Sequence, residues 1–257
     1  MFFAAYLGVL IPVFGILKEG ILSAKKAVSS MQTQMQIVFP IMLTLIAASG
    51  GSLSVAIYQP SVLFLSNTLV ALIDKIVFPL TVAIIVFSMA GKIFGELKTE
   101  KFSGFFKSIN KWLIGIGASI FGLFFTIQGI TAASYDGILR RAAKYALGTG
   151  VPIVGGFLSG GFDLALAGTM LIKNSLGNFS LFLLASILLE PLILLVSINL
   201  LFRLTAAITQ PFGDSKISSF LEETADNVNY FVAGLLFTAF LYFIVLVLFV
   251  CSTEMFL

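Results

Sequence analysis

Long apolar runs separated by short amphipathic segments make up most of the chain. The runs are continuous and lack the two-residue alternation of barrel strands, so the sequence predicts helices that span or enter a membrane. We expect these helices at residues 1–17, 37–57, 60–78, 79–91, 113–134, 175–202 and 230–250. Amphipathic segments at 18–36, 96–111 and 214–229 are expected to lie at the membrane interface as amphipathic helices.

One apolar stretch, Gly148–Gly177, is not built like an ordinary span. It contains eight glycines, together with Pro152, Asp163 and the pair Lys173-Asn174. Glycine weakens a helix and lets backbones approach closely, and a helix that breaks inside a membrane exposes carbonyl and amide groups. We therefore expect broken or re-entrant helices in this stretch.

This stretch has a counterpart about 110 residues upstream, at Phe39–Leu69. Both copies contain Pro-Ile, then Ser-Gly-Gly, then Asn followed by a hydroxyl residue and Leu, and short matches continue on either side in the same order. The matching residues are Pro40 and Pro152, Ser49-Gly50-Gly51 and Ser159-Gly160-Gly161, Asn67 and Asn174, and Pro79 and Pro191. The order predicts a duplicated unit of about 115 residues. The predicted divisions are a first repeat unit at 1–112, a second at 113–229 and a terminal span at 230–257.

The charges of the two units predict that they are inverted. The amphipathic segment of the first unit is basic, whereas its counterpart in the second unit is mainly acidic. The contrasting residues are Lys98, Lys101, Lys107 and Lys111 in the first unit and Asp214, Glu222, Glu223 and Asp226 in the second. Opposite charge at equivalent positions predicts opposite sides of the membrane. Three crossings per unit would place eight Lys and Arg residues on the cytoplasmic side and four on the other. We therefore expect an all-α polytopic integral membrane protein with about seven crossings, its N-terminus outside and its C-terminus inside.

The composition agrees with this class of protein. Of the 257 residues, 59% are hydrophobic and 11% are charged, whereas about 25% are charged in a typical soluble domain. The chain has no histidine and one cysteine, Cys251, which excludes imidazole chemistry, histidine-ligated metals and an internal disulfide. No nucleophile–base pair or carboxylate dyad stands out, so we expect no enzymatic activity, no cofactor and no metal. The net charge of +3 comes from no dense basic run, so we expect no nucleic acid partner.

Polar residues inside the apolar runs are the candidate functional residues, because an ionisable group in a span usually faces protein or water. Asp163 and Glu190 are the foremost candidates for a polar pathway or ion site between the repeats. Asn67, Asn174 and Lys173 are further candidates for a place on such a pathway. The alternative is that these groups only satisfy one another inside the packed helices.

Glycine and proline positions are the candidate hinges or helix breaks. They are Ser49-Gly50-Gly51, Ser159-Gly160-Gly161, Pro79 and Pro191. The alternative for the glycines is close packing between helices, which is their commoner use in membranes.

Several segments, taken in order, resemble the stage III sporulation protein AE family. They are SGGSLSVA at 49–56, QPSVLFLSNT at 59–68, GVPIVGGFLSGGFD at 150–163, KNSLG at 173–177 and LTAAITQPFGD at 204–214. The resemblance extends from about Gln34 to the last apolar run. These motifs are distinctive as a set and have no established chemistry.

The resemblance implies a multi-pass protein of endospore-forming bacteria, in the mother-cell membrane that surrounds the engulfed forespore. It implies that the partners are the other membrane proteins of the same operon and, through the complex, the forespore partner sporulation protein Q. Together they would form a channel-like complex that connects the two cells and supports late forespore gene expression. Members usually begin with a signal sequence and an extracytoplasmic region, so a chain that begins at a span is expected to be a fragment or to start further downstream.

Two other functions stay open at this point. One is a self-sufficient secondary transporter or permease for a small solute, coupled through Asp163 or Glu190. The other is a purely structural membrane scaffold for other channel subunits. The Asp163→Asn change should abolish ion-coupled transport but leave a scaffold largely intact.

Overall fold

The computed structural model describes residues 2–48, 53–93, 100–127, 175–211 and 215–254, and every regular element in these residues is helical. The elements are α1 (Phe2–Ala48), α2 (Leu53–Leu72), a short π-helix (Ile73–Val77), α3 (Phe78–Ile93), α4 (Glu100–Ile127), α5 (Ser175–Thr209) and α6 (Ser215–Glu254). The expectation of an all-α protein is confirmed for the described part of the chain.

The amphipathic segments are continuous with the apolar runs and do not form helices of their own, and their place at the membrane interface stays a prediction. Residues 18–36 lie inside α1, and the other two segments contribute the first halves of α4 and α6. No proline or glycine stands at the junctions with the following apolar runs, so nothing there ends a helix. The apolar positions of the first segment also pack inward, with Val28, Met31 and Met35 fully buried.

Two prolines expected to break helices do not do so. Helix α5 continues through Pro191. At Pro79 the helix continues because the preceding turn, Ile73–Val77, widens to a π-helix in which the Phe78 N–H bonds to the Ile73 carbonyl. A proline lacks an N–H and its ring collides with the carbonyl one turn earlier, and the wider turn accommodates both effects. A hinge function at either proline stays a prediction.

Helix α6 is the centre of the fold and packs against α1, α3 and α5. It runs antiparallel to α5. Asn199 of α5 bonds to Asn229 of α6, whereas Ala206, later in α5, accepts a hydrogen bond from Ser218, earlier in α6. The buried side chains of α6 are large, and Phe231 and Tyr242 are fully enclosed. The core of the described fold therefore follows α6 along its length.

Helices α1 and α4 both run parallel to α6. For α4, Lys107 contacts Glu223 and Gly117 lies beside Phe237, so residue numbers increase in the same direction along both helices. For α1, the Phe39 ring packs edge-on against Tyr242, and Gly20 lies against Ile198 of the antiparallel helix α5.

Helix α3 runs antiparallel to α4. The Phe87 ring stacks on Phe106 at 5.6 Å, while Asn110 bonds to Thr81. The preceding helix α2 continues in the same direction, because its Leu69 lies beside Gly117 of α4.

This register contradicts the inverted placement of the two amphipathic segments. Lys107 Nζ and Glu223 Oε1 are 2.7 Å apart, whereas opposite sides of a bilayer would separate them by about 30 Å. Their opposite charges are therefore explained by attraction between neighbouring segments. The duplicated unit stays a prediction, and its boundaries at 112/113 and 229/230 fall inside α4 and α6.

The described residues contain three helical stretches that are long and apolar enough to cross a membrane. They are Leu63–Gly91, Phe179–Thr209 and Lys216–Val247. This agrees with an all-α membrane protein, and the number of seven crossings stays a prediction.

Beyond the level of the Lys107–Glu223 pair, five helices each have a stretch without charged residues, and the stretches of α2 and α5 begin deeper than the others, past Asp74, Lys75 and Glu190. The stretches are 27–48 of α1, 53–72 of α2, 112–127 of α4, 175–189 of α5 and 227–253 of α6. Twenty-two helical residues, as in α1, extend about 33 Å, which matches the hydrocarbon core of a bilayer at about 30 Å. The term charge-free layer refers to these five stretches below.

Gly234 of α6 allows the π-helix and α3 to approach closely. A Cβ atom at this position would lie 2.6 Å from Phe78 Cε1 and 2.9 Å from Ile73 Cγ2. We expect Gly234→Ala to lower the free energy of unfolding by about 1–3 kcal/mol, because both neighbours must move. The control is Gly104→Ala in α4, where nothing lies within 4 Å and alanine favours the helix. Thermal unfolding in detergent measures both variants, and an equal fall in Tm for the two would contradict this packing.

The shared direction of α4 and α6 predicts labelling of their first halves from one side of the membrane. We expect Lys101→Cys and Glu222→Cys, both exposed, to react with an impermeant maleimide from the same side in a Cys251→Ser background. Thr253→Cys, near the other end of α6, should react from the opposite side. Labelling of Lys101→Cys and Glu222→Cys from opposite sides would restore the inverted arrangement.

Candidate functional site

Helix α6 presents two acidic residues, one turn apart, to basic residues on two different helices. Glu223 Oε1 accepts a hydrogen bond from Lys107 Nζ of α4 at 2.7 Å, and Asp226 Oδ1 accepts one from Arg203 of α5 at 2.6 Å. The term acidic turn refers to Glu223–Asp226 below. The Lys107 and Glu223 side chains are about half as exposed as those of Arg203 and Asp226. Better shielding from solvent makes the first pair the stronger contributor to stability.

The pair on the α5 side continues into a hydrogen-bonded network. Arg203 Nε donates to Asn199 Oδ1, and Asn199 Nδ2 donates to the Ala225 carbonyl and to Asn229 Oδ1. Each polar group of Asn199 is therefore engaged. Because hydrogen bonds of this kind fix the orientation of both partners, the network sets the register between α5 and α6.

The first half of α4 turns its polar side inward. Ser103 and Asn110 are buried, whereas Phe102, Phe105 and Trp112 are exposed by 60% or more. Aromatic residues at the outer surface and polar residues inside are the arrangement expected where a helix meets lipid and packs through polar contacts. Polar groups of α4 therefore face the interface with α3 and α6.

A set of buried polar groups follows this interface. Asn110 Nδ2 donates to Thr81 Oγ1 of α3 at 2.8 Å. On α6, Asn227 lies one turn after Glu223, which contacts α4, and one turn before Phe231, whose ring packs on Phe78. The term polar seam refers to six residues of α3, α4 and α6, namely Ser88, Ser103, Lys107, Asn110, Glu223 and Asn227.

Much of the hydrogen-bonding capacity of the polar seam is unused within the described part of the chain. The Ser88 and Ser103 hydroxyls, Asn110 Oδ1 and both polar atoms of the Asn227 amide are buried without a partner there. A buried polar group without a partner costs about 1–3 kcal/mol. Such groups are commonly satisfied by internal water. Chemically the seam can hydrogen-bond water or another polar group beside one ion pair.

The structure places only some of the sequence-predicted site residues. Asp163, Lys173, Asn174 and both Ser-Gly-Gly motifs lie outside the described residues. Asn67 lies on α2, where its Oδ1 is buried without a partner among the described residues. Glu190 is exposed on the outer face of α5, so the described helices do not enclose it. A pathway role for these residues stays a prediction.

Sequence reasoning missed the residues that the structure brings together. Asn110, Asn199 and Asn227 were not candidates, and Lys107 and Glu223 were taken only as surface charges that report topology. Helical spacing carries part of the signal, because Asn110 stands seven residues after Ser103 and four before Ile114, both buried. The pairing of Lys107 with Glu223 has no local signal, since it joins helices far apart in the chain.

The described residues contain no group of three or more His, Cys, Asp or Glu that could hold a metal ion.

Two asparagines on α6 and α5 provide a matched pair for substitution. We expect Asn227→Leu to raise the free energy of unfolding by about 1 kcal/mol or more, because it removes a buried amide without partners in the described structure. Asn199→Leu should lower it by a similar amount, because it strips hydrogen bonds from Ala225, Asn229 and Arg203. Thermal unfolding in detergent measures both. Destabilisation by Asn227→Leu equal to that of Asn199→Leu would mean that Asn227 has a partner in the folded protein.

Comparison with known proteins gives a consistent result. A sequence model of the family described as stage III sporulation protein AE matches residues 1–253. The chain is also 28% identical over 232 residues to stage III sporulation protein AE of Bacillus subtilis (strain 168). That alignment covers 90% of this chain and 58% of the relative, so the chain spans somewhat more than half of the relative's length. No solved structure matches this chain.

The match to the family covers nearly the whole chain. The family consists of sporulation membrane components and is not a known enzyme family. The chain belongs to the stage III sporulation protein AE family.

Proposed function

We propose that this chain is the membrane part of a stage III sporulation complex in the mother-cell membrane around the forespore. The observation that carries the proposal is the family match over residues 1–253. The three apolar helical stretches support a membrane location. Because the chain spans 58% of its Bacillus subtilis relative, the proposal concerns the membrane part alone.

The proposed position in the bilayer follows from the charge-free layer. This layer lies in the hydrocarbon, and the Lys107–Glu223 pair lies at one surface. Basic residues favour the cytoplasmic surface of a membrane. The exposed or half-exposed lysines on this side include Lys18, Lys25, Lys26, Lys101, Lys107, Lys111 and Lys216. This surface is therefore the one that faces the mother-cell cytoplasm. The Glu254 end of α6 then lies on the other side of the membrane, in contrast to the C-terminus-inside placement expected from the charge count.

The proposed role is to contribute to a channel-like complex that connects mother cell and forespore and supports late forespore gene expression. The partners are other stage III sporulation membrane proteins and, through the complex, the forespore partner sporulation protein Q. The polar seam supports a role beyond anchoring in the membrane, because it holds unused hydrogen-bonding groups between three helices. Groups of this kind suit water or a polar solute.

A structural scaffold is the second candidate function, and the two ion pairs of the acidic turn favour it. They connect α4, α5 and α6 through contacts of 2.7 and 2.6 Å, which suits a rigid platform for other subunits. Asp163→Asn separates a scaffold from a self-sufficient ion-coupled transporter, because a scaffold tolerates the loss of that charge.

Deletion of the gene in its host tests the proposed function. We expect engulfment to finish, a late forespore reporter to stay dark and the forespore to shrink, as required of a component that sustains the forespore. Re-expression of the full gene should restore the reporter, and Gly104→Ala serves as a neutral complementation control. Normal spores from the deletion strain would contradict the proposal and direct attention to solute uptake in vegetative cells.

A further inference from the structure

Helix α5 is the least covered of the three apolar stretches. Only 22% of its most apolar part is buried in the protein, compared with 72% for α6. Phe182, Ile193 and Leu200 are each more than 60% exposed on its outer face. Lipid covers such side chains as well as protein does, so this apolar face alone indicates no partner.

Glu190 distinguishes this face from an ordinary lipid-facing surface. It is exposed, and it is the sole charged residue between Leu181 and Val196. It lies nine residues from Asn199 of the network beside the acidic turn, which places it about 13 Å further into the apolar part of α5. No described residue forms an ion pair with it. A carboxylate that faces hydrocarbon without a partner is costly, and intramembrane charges are normally paired.

Two small polar residues lie in line with Glu190. Ser186 and Ser197 stand four residues before it and seven after it, so all three share one face of the helix, and both serines are exposed. The Ser186 hydroxyl already donates to the Phe182 carbonyl. Small residues allow a second helix to approach closely in a membrane, where packing and polar contacts drive association.

A second copy of this chain does not suit this face. Two copies related by an axis along the membrane normal have the same orientation, so their Glu190 side chains would meet at one depth. Two carboxylates at the same depth repel each other. The partner that complements this carboxylate is a cation.

We propose that the outer face of α5 docks a transmembrane helix of another protein, and that a lysine or arginine of that helix pairs with Glu190. This inference rests on the proposed function, because it requires a membrane complex. The serines on either side of Glu190 provide the close approach, and the exposed apolar side chains provide the surrounding contact.

Site-specific photo-crosslinking in sporulating cells tests the inference with the full chain and all its partners present. A photoreactive amino acid is placed at Ile193 or Leu200 on the proposed face, and at Ile120 of α4, exposed by 46%, as a control. We expect the α5 positions alone to capture a different membrane protein through a transmembrane peptide that contains Lys or Arg. Glu190→Lys should lower the yield by about tenfold or more.

Control variants separate the loss of pairing at Glu190 from a loss of folding. Glu222→Lys, a matched change at an exposed glutamate of α6, should leave the yield unchanged, and membrane levels of each variant report folding. Reversal of the captured cation to glutamate should restore crosslinking to Glu190→Lys. Adducts with lipid only, adducts within the same chain only, adducts with a second copy only, or a yield that Glu190→Lys leaves unchanged would overturn the inference. If the inference fails but the late forespore reporter is active in the cells used for crosslinking, the proposed function is not contradicted.

Discussion

The acidic turn of α6 joins parts of the chain that are far apart in sequence. Glu223 binds Lys107 from more than a hundred residues earlier, and one turn later Asp226 binds Arg203. On α4 and α6, Lys107, Glu223 and Asp226 lie close to the start of the charge-free layer. The acidic turn therefore sets the register of α4 and α5 against α6, and it holds the charged ends of the helices together at one surface of the apolar layer.

This arrangement reverses the usual distribution of side chains at the interface of α3, α4 and α6. Polar residues such as Asn110 and Asn227 are buried, and aromatic residues such as Phe105 and Trp112 are outside. Phe105 and Trp112 lie at the edge of the charge-free layer, where aromatic side chains favour the membrane interface, while buried polar groups need partners inside. The unused hydrogen-bonding groups of the polar seam are consistent with a membrane component that holds water or a polar solute among its helices.

The helices and the membrane class could be predicted from the sequence because hydropathy and helical spacing are local properties. Joining α1 across residues 18–36 required only that no proline interrupts them, whereas the amphipathic pattern there predicted an interfacial helix. The prediction that the first halves of α4 and α6 lie on opposite sides of the membrane was wrong. Opposite charges at Lys107 and Glu223 are expected of neighbouring segments as much as of segments at opposite membrane surfaces. Glu190 was expected between helices, but its outward position follows from packing of α5 on α6, which no local pattern specifies.

Charge reversal at the ion pair is the most direct test of the central claim that Lys107 and Glu223 are neighbours. The claim predicts that Lys107→Glu and Glu223→Lys each lower the Tm in detergent, since each places like charges at 2.7 Å in the present geometry. The double variant should recover most of the loss, because the pair is restored with its polarity exchanged. A double variant that is as unstable as the sum of the two single variants would contradict the arrangement of α4 beside α6.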